Sequence, residues 1–322
     1  MSMQNNVRIL VADLGVFFLK KKEAKFREMS EFLKAMVSKL EELKTNPKER
    51  EWKEDFTFIQ GADCQFGLID RYILKSPVPN WDKEIKLSSD AIRQINRLEP
   101  KPRFFIICGD MLDAFPYPEE KALRERQLVD FHRIYKDLDP EIPLVCVCGN
   151  HDVGDIPTRA TVDIYREQFG QDFFIFWVGG VKFLVLNSQY YRCPDNVPEE
   201  LEKQNSLLDT LAEGPAKHTV AFQHIPYFLK TPDEEDDRYF NISKELRLEL
   251  LEKLRDAGVR YIFTGHYHRN AGGFYKDVEQ VVTSAIGGPL GNDPSGFRIV
   301  RVTEQGLTHE YVPVEISSST DV

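Results

Sequence analysis

Asp63, Asp110, Asn150, His224 and His266 each follow closely on a short apolar run of the chain, and His268 stands two residues beyond the last of them. Carboxylate, amide oxygen and imidazole are all metal-binding donors. The mixture is borderline-hard, which suits manganese, iron or zinc and gives no sign of a thiolate site. Four of these residues sit in glycine-led strings: Gly109-Asp110-Met111-Leu112-Asp113, Gly149-Asn150-His151-Asp152 and Gly265-His266-Tyr267-His268. Glycine lets the chain turn sharply while polar side chains are presented, and alternate histidines can direct two imidazoles towards one site. Each signal also has an ordinary reading. An Asp after a strand commonly caps a helix or forms a turn, and His224 alone reads as a satisfied core histidine.

For these residues to meet, the apolar runs must be strands whose carboxyl ends share one edge, which is where open α/β sheets bind ligands. Runs over 56–62, 104–108 and 144–148 predict buried strands, with helix-period segments over 82–98 and 120–138 between them. That alternation is α/β architecture with right-handed crossovers. Further strands are predicted over 173–178, 183–186, 219–222, 261–263, 281–284 and 297–302. Helices are predicted over 199–211 and 243–257, the second opened by Ser243 as N-cap and stopped by Gly258. So many strands imply two packed sheets with helices outside.

Residues 1–50 differ from the rest. Phe26, Met29, Phe32, Leu33, Met36, Leu40 and Leu43 recur at helical spacing among Lys and Glu, and Asn46-Pro47 ends the pattern. The expectation is an amphipathic helix packed on the main domain; a partner- or membrane-facing segment is the alternative. The acidic run Asp233, Glu234, Glu235, Asp236, Asp237 is expected to be a solvated loop. Asn241-Ile242-Ser243 matches the glycosylation sequon and is read as accidental.

With 52 acidic against 42 basic side chains the formal charge is −10, which repels polyanions and argues against a nucleic-acid partner. No apolar run reaches the length of a membrane span. Five cysteines, Cys64, Cys108, Cys146, Cys148 and Cys193, lack zinc-ribbon spacing and read as reduced thiols, which favours a cytoplasmic location. Cys146 and Cys148 alternate along one predicted strand and are expected to share a buried face.

In this order and strand context, the motifs resemble the calcineurin-like metallophosphoesterase superfamily, whose pattern is Asp-x-His, Gly-Asp-x-x-Asp, Gly-Asn-His-Asp/Glu, a lone His, then Gly-His-x-His. The resemblance spans roughly residues 56–302. It implies a four-layer α/β/β/α sandwich over residues 51–315, preceded by the helical extension of residues 1–50. It further implies two divalent metal ions, with Asp110 bridging them, Asp63 and His268 on the first, and Asn150, His224 and His266 on the second. His151 would stay unliganded, oriented by Asp113 and free to stabilise the transition state or protonate the leaving oxygen. The physics agrees, because two cations about 3.5–4 Å apart repel and need a shared anionic ligand. They would make hydroxide from a bridging water near neutral pH and clamp the phosphoryl oxygens for in-line displacement.

Two positions depart from the superfamily pattern. Gln65 stands where many members carry histidine; its amide oxygen is a hard, neutral donor, so manganese or magnesium gains over zinc. Ala114 stands where phosphatases of the calcineurin and lambda type carry a phosphate-gripping arginine. Arg269, directly after His268, is the candidate replacement for substrate binding, with a surface salt bridge as its ordinary alternative. Longer strings such as Phe176-Trp177-Val178-Gly179-Gly180 and Leu184-Val185-Leu186-Asn187-Ser188-Gln189 are similar to an animal branch of cytoplasmic serine/threonine protein phosphatases. That similarity implies a phosphorylated protein as substrate. The same site would serve a small-molecule phosphodiesterase or nucleotide pyrophosphatase, the choice resting with loops such as 69–81 and 229–239. A catalytically silent scaffold is the reading from another class.

Overall fold

A computed structural model describes residues 30–317. Helix α1 covers residues 30–45 and stops at Asn46, whose side chain accepts from the Lys48 N–H ahead of a short 3₁₀ turn at Pro47–Arg50. There follow β1 (Phe56–Gly61), α2 (Asp82–Ile95), β2 (Phe105–Cys108), α3 (Lys121–Tyr135) and β3 (Leu144–Val147). Next come α4 (Asn150–Val153), α5 (Arg159–Phe169), β4 (Phe174–Val178), β5 (Val181–Val185), α6 (Gln189–Arg192), α7 (Pro198–Asp209) and β6 (Thr219–Phe222). The chain closes with α8 (Lys244–Asp256), β7 (Val259–Thr264), β8 (Ala271–Tyr275), β9 (Val278–Val282), β10 (Gly296–Val302) and β11 (Leu307–Pro313).

These strands form two mixed sheets, ordered β11-β10-β1-β2-β3 and β4-β5-β6-β7-β9-β8. β1, β2 and β3 are mutually parallel, as are β5, β6, β7 and β9, and the antiparallel strands lie towards the edges. Parallel strands need both faces covered, and period-two alternation supplies both. On β3, Val145 and Val147 face the second sheet while Cys146 and Cys148 face the helices, as expected for that pair. Between the sheets, Phe58 stacks on Phe104 at 4.7 Å and meets Phe183, Phe222 and Phe263 edge-on at 5.6, 5.9 and 6.0 Å. Rings that interlock in both geometries resist sliding of one sheet over the other. One outer core lies under α2, α3 and α5, the other under α7 and α8, completing the α/β/β/α layering.

Met36 of α1 joins the helix-side core, and Leu40 and Leu43 join the core between the sheets, so the described part of the extension packs on the main body. Phe26 and Met29 lie outside the described residues. Helix ends fall short of the predicted ones by a few residues; α2 stops at Ile95 and α3 at Tyr135, each followed by turns rather than further helix. α5, β8 and β11 had no sequence prediction, and β8 carries two consecutive glycines, which obscure a strand pattern. Ser243 does stand at the N-cap of α8, but the oxygen that meets the Lys244 N–H belongs to Asp236, at 2.7 Å.

The acidic run is more than a solvated loop. Glu234 accepts the N–H groups of Leu229, Lys230 and Thr231 at 2.6, 2.8 and 3.2 Å, and Asp237 accepts those of Tyr239 and Phe240 at 2.8 and 3.0 Å. Fully buried Arg247 binds the Pro232 and Ile242 carbonyls and the Asp236 carboxylate. These carboxylates cap main-chain donors, so they fold the segment instead of repelling each other apart. Asn241 is buried with its amide donating to Glu234 and Glu235, consistent with an accidental sequon. No helix among the described residues is long and apolar enough to cross a membrane.

Candidate metal centre

Asp63 follows β1, Asp110 follows β2, Asn150 and His151 open α4 after β3, His224 follows β6, and His266 and His268 follow β7. All seven are buried. Parallel strands deliver them to one edge, and β1, β2 and β7 continue into turns with unusual backbone. Asp63, Gln65, Asp110, His266 and His268 have φ of 52°, 32°, 54°, 68° and 53°. Left-handed backbone at a non-glycine residue costs on the order of 1–3 kcal/mol and persists where surrounding bonds over-determine it. Here the Asp63 N–H donates to Gly109 O at 3.0 Å, the Gln65 N–H to Asp110 O at 2.9 Å and the Gly287 N–H to Asp63 O at 3.0 Å.

The motif glycines serve mainly close approach. Gly149 has φ of −103°, an ordinary extended value, yet a Cβ there would lie 2.1 Å from Asp110 Oδ1. At Gly109 a Cβ would meet His224 Nδ1 at 2.2 Å.

Each liganding histidine candidate is held by a main-chain carbonyl on one nitrogen. His224 Nδ1 lies 2.7 Å from Cys108 O, His268 Nδ1 2.6 Å from Gly288 O, and His266 Nε2 2.7 Å from Tyr239 O. A carbonyl only accepts, so those nitrogens carry the hydrogen and the opposite nitrogens present lone pairs. His224 Nε2 then faces His266 Nδ1 at 3.1 Å, Asn150 Oδ1 at 3.1 Å and Asp110 Oδ2 at 3.2 Å. His268 Nε2 faces Asp63 Oδ1 at 3.2 Å, and that oxygen is buried without a hydrogen-bond partner. Lone pairs converging at such range repel unless positive charge lies among them, so the donor set fits metal cations. Asp110, His224 and His266 form one group whose ligand atoms lie within 4.8 Å of one another; Asp63, Asp110 and His268 form another, with Asp110 common to both.

The electrostatics carry the same sign. Burial disfavours the His224 imidazolium, yet Asp110, and behind it Asp63, hold its pKa up to about 9, so the positive charge they draw to Nε2 is a proton that a cation at that place would displace. Burial would raise the Asp110 carboxyl, but His224 and His151 hold it well below the usual carboxylate range. Burial, followed by His224, pushes His266 well below its ordinary value. Burial pushes the thiols of Cys64, Cys108, Cys146 and Cys148 far up, so none offers a thiolate.

His151 lies beside this cluster. Its main-chain N–H donates to Asp110 Oδ1 at 2.9 Å, its Nδ1 lies 2.6 Å from the Asp113 carbonyl oxygen, and its ring stacks on Phe115 at 4.2 Å. The Asp113 carboxylate is 3.9 Å from that nitrogen, and accepts instead from Arg71 at 2.8 Å and Gln65 Nε2 at 3.4 Å. Gln65 Oε1 is buried with no hydrogen-bond partner. Arg269 donates to the Tyr267 and Leu290 carbonyls at 3.3 and 3.1 Å and lies over the Tyr267 ring at 4.8 Å, so main-chain partners already engage its guanidinium.

Sequence reasoning gave no role to two residues that hold the site together. Asp152 accepts the N–H groups of Asp110 and Gly149, both at 2.8 Å, tying the β2 and β3 turns to each other. Arg124, buried on α3, donates to the carbonyls of Ala114, His151 and Asp152 at 2.7, 3.0 and 3.1 Å. Its signal was available: it falls four residues before Leu128 and seven before Phe131, an arginine on the apolar face of its helix.

A family model described as calcineurin-like phosphoesterase matches residues 79–270. The chain is 46% identical over 275 residues to the serine/threonine-protein phosphatase CPPED1 of Homo sapiens, covering 83% of this chain and 87% of that protein. It is 44% identical over 274 residues to the CPPED1 of Danio rerio, covering 83% and 87%. Among solved structures, a dimetal phosphatase from Danio rerio superposes with TM-score 0.53 at 14% identity, covering 82% of this chain and all of that one. PhoD superposes at 0.55 with 15% identity, covering 84% and 68%. At such identities these two speak for the fold alone. Family model and close relatives together with the layered sheets show that this chain belongs to the calcineurin-like phosphoesterases, enzymes that hydrolyse phosphate esters with divalent metal ions.

Proposed function

We propose that the chain is a binuclear metallophosphatase acting on phosphoserine and phosphothreonine in proteins. The observation that carries the metal chemistry is the pair of buried Asp/His groups sharing Asp110. The substrate class is supported by 46% identity, over most of both chains, to a relative named as a serine/threonine-protein phosphatase. Asp110 would bridge two ions, with Asp63, His268 and Gln65 Oε1 on one and Asn150, His224 and His266 on the other. Bound there, divalent cations activate water as a nucleophile and neutralise charge on the phosphoryl group. Manganese is favoured at the site that includes the neutral amide oxygen of Gln65.

The protein's own groups then have distinct tasks. The Asp113 carbonyl fixes the hydrogen of His151 on Nδ1, which leaves Nε2 to hold or deliver a proton at the leaving oxygen. Phe115 stacked on the ring, with Tyr117 stacked on Phe115 at 5.3 Å, keeps that imidazole from swinging and shields one face from water. Arg269 is the proposed substrate contact, reached by exchanging its main-chain partners for a phosphate oxygen. Residues 51–315 carry this activity, with residues 1–50 as an extension, and five cysteines free of disulfides support a cytoplasmic setting.

The test is turnover of a phosphoserine and phosphothreonine peptide panel beside a nucleotide-diphosphate and phosphodiester panel, with metal content measured on the same preparation. Peptide kcat/KM exceeding that of every small phosphoester is the expected result. Preference for the nucleotides would replace this reading by a small-molecule one. No stoichiometric transition metal and no turnover would make the chain a silent scaffold.

A further inference from the structure

A phosphoryl group held at a buried metal cluster leaves the rest of its substrate outside, on the surface that borders the cluster. That border carries large apolar side chains open to solvent: Tyr72, Ile73, Ile156 and Tyr239 are 49%, 44%, 58% and 42% exposed. Single exposed apolar residues are ordinary, whereas several around one opening mark a contact surface. Each of the four is tied to the centre by a contact of its own. Tyr239 lays its ring 4.7 Å from that of His266 and its hydroxyl 3.3 Å from Asn150 Nδ2. Ile156 shares the wall of a cavity of about 320 Å³ with His266 and Asn150. Ile73 Cδ1 packs beside Gly288, where a Cβ would lie 3.4 Å from it, and the Gly288 carbonyl is the one that holds His268. Tyr72 lies under the Arg71 guanidinium at 5.5 Å, and Arg71 binds Asp113, whose carbonyl holds His151. Burial and the Asp113 carboxylate push the Tyr72 phenol up, and Asp155 of the cavity wall adds to that push, which sets the ring within the field of both carboxylates.

The charges among these residues decide which flanks fit. Arg71 is spent on Asp113 and Glu120, and Arg192 on the Tyr239 and Arg238 carbonyls. Asp155 is exposed, and its carboxylate accepts from Asn150 Nδ2 at 2.8 Å. An acidic flank would meet Asp155 while those two guanidinium groups stay engaged elsewhere, and like charges at such range repel. The formal charge of −10 adds to this at long range. An apolar flank instead covers Tyr72, Ile73 and Ile156 and removes their apolar area from water. The molecule that covers them is the one whose phosphate occupies the cluster, because the same residues border both.

We propose that the border of the metal centre selects phosphorylated Ser and Thr flanked by large apolar residues, with Tyr72, Ile73 and Ile156 as the specificity-determining contacts. This rests on the protein phosphatase reading above and narrows its substrate class. The flanks are held equally before and during phosphoryl transfer, so the preference lowers KM more than it raises kcat.

The experiment uses the metal-loaded full chain and phosphoserine peptides of one length, whose residues on both sides of the phosphorylated one are leucine, asparagine or aspartate. kcat/KM is measured for wild type, for Tyr72→Ser, Ile73→Ser and Ile156→Ser singly and combined, and for Ile316→Ser as a control. Ile316 is 57% exposed and stands beside Ser317, which binds Lys86 of α2. Wild type should prefer leucine to asparagine flanks by about tenfold or more, with aspartate flanks slowest. Each single substitution should lower the leucine-to-asparagine ratio about twofold or more, and the three combined should bring it below about threefold. Ile316→Ser should keep the wild-type ratio. A ratio taken within one preparation cancels any loss of active protein. Peptide turnover with a wild-type ratio near one, or a ratio that the combined variant keeps, overturns this proposal alone. So does a flat ratio joined to binding of phosphatidylcholine vesicles that the combined variant loses, which would give the apolar border to a membrane. Failure of wild type to hydrolyse any of the peptides while it turns over nucleotides is a different outcome, which rejects the protein phosphatase reading and this proposal with it.

Discussion

Asp113→Asn separates two ways of holding His151. If the carboxylate oriented the imidazole, its loss would cost the about 10²–10⁴-fold typical of a general acid or base. The structure puts that task on the Asp113 main-chain carbonyl, 2.6 Å from Nδ1, which asparagine keeps. What the substitution removes is the charge facing Arg71 Nη1 at 2.8 Å. Hydrogen bonds to charged groups contribute about 1.5–3 kcal/mol. The lower end applies here, because Arg71 is 22% exposed in its side chain and keeps Glu120 at 2.9 and 3.1 Å. Burial also pushes the Asp113 carboxyl up in spite of His151 and Arg71. The expected outcome is a loss of roughly 1–2 kcal/mol in unfolding free energy with kcat lowered by less than about tenfold. Denaturant unfolding and kcat against a phosphopeptide from pH 5 to 9, at matched metal content, check both numbers. A hundredfold fall in kcat with stability unchanged would show that the carboxylate, and not the carbonyl, governs His151.

Asp110→Asn should lose metal and turnover together, since two cations would be left under-neutralised; unchanged stoichiometry by elemental analysis removes Asp110 from the bridging role. His151→Ala should lose about 10²–10⁴ in kcat while metal content stays at the wild-type level, and metal loss would instead make it a ligand. Gln65→His should shift preference from manganese towards zinc or iron in parallel titrations, with identical preferences counting against Gln65 as a ligand. Glu84, on α2, accepts the Gly67 and Ile69 N–H groups at 3.2 and 2.8 Å, and burial pushes its carboxyl from 4.5 up to about 7. A raised folded-state value stabilises the fold below the unfolded pKa and is lost as pH rises through the folded one. The stability of wild type relative to Glu84→Gln should therefore decline by on the order of 1–3 kcal/mol between pH 5 and pH 8; a difference that stays flat in denaturant unfolding refutes this.

The sequence made the ends of the strands legible because a buried parallel strand is a short apolar run, and the residue after it is marked by a change of character. On that ground Asp63, Asp110, Asn150, His224 and His266 are marked as strand-end residues, each with an ordinary reading of its own, and it is the order of their motifs that groups them as one candidate set. Their partners are not marked. Tyr239 supplies the carbonyl for His266 from a loop whose fold depends on Glu234 and Asp237 capping its amides, and an acidic string carries no hint of which main-chain donors it will meet. Arg71 reaches Asp113 across 42 residues of chain, a pairing that neither periodicity nor spacing encodes. α5 escaped for a different reason. Its apolar residues Val162, Tyr165 and Phe169 are spaced for one buried face, but Asp163, Arg166 and Glu167 between them thin the apolar pattern.

Five left-handed polar residues in one site carry a further consequence. At on the order of 1–2 kcal/mol each for L-residues, somewhat less for Asp, their strain rivals the net stability of an ordinary domain. A chain free to relax would return these side chains to extended backbone and scatter the donors. The frame that prevents it is assembled from groups that touch no candidate metal position: Asp152 on the amides of Asp110 and Gly149, and Arg124 on the carbonyls of Ala114, His151 and Asp152. Asp152 and Arg124 are both buried, and burial pushes the carboxyl of one up to about 6 and the guanidinium of the other down to about 10, values that leave both charged near neutral pH against the main-chain groups they hold. Such a frame holds the candidate ligand atoms in place by main-chain bonds. Cations held by Asp63 and Asp110 would then bind without reorganising the backbone, and their attraction to the two carboxylates would offset the strain that the turns store.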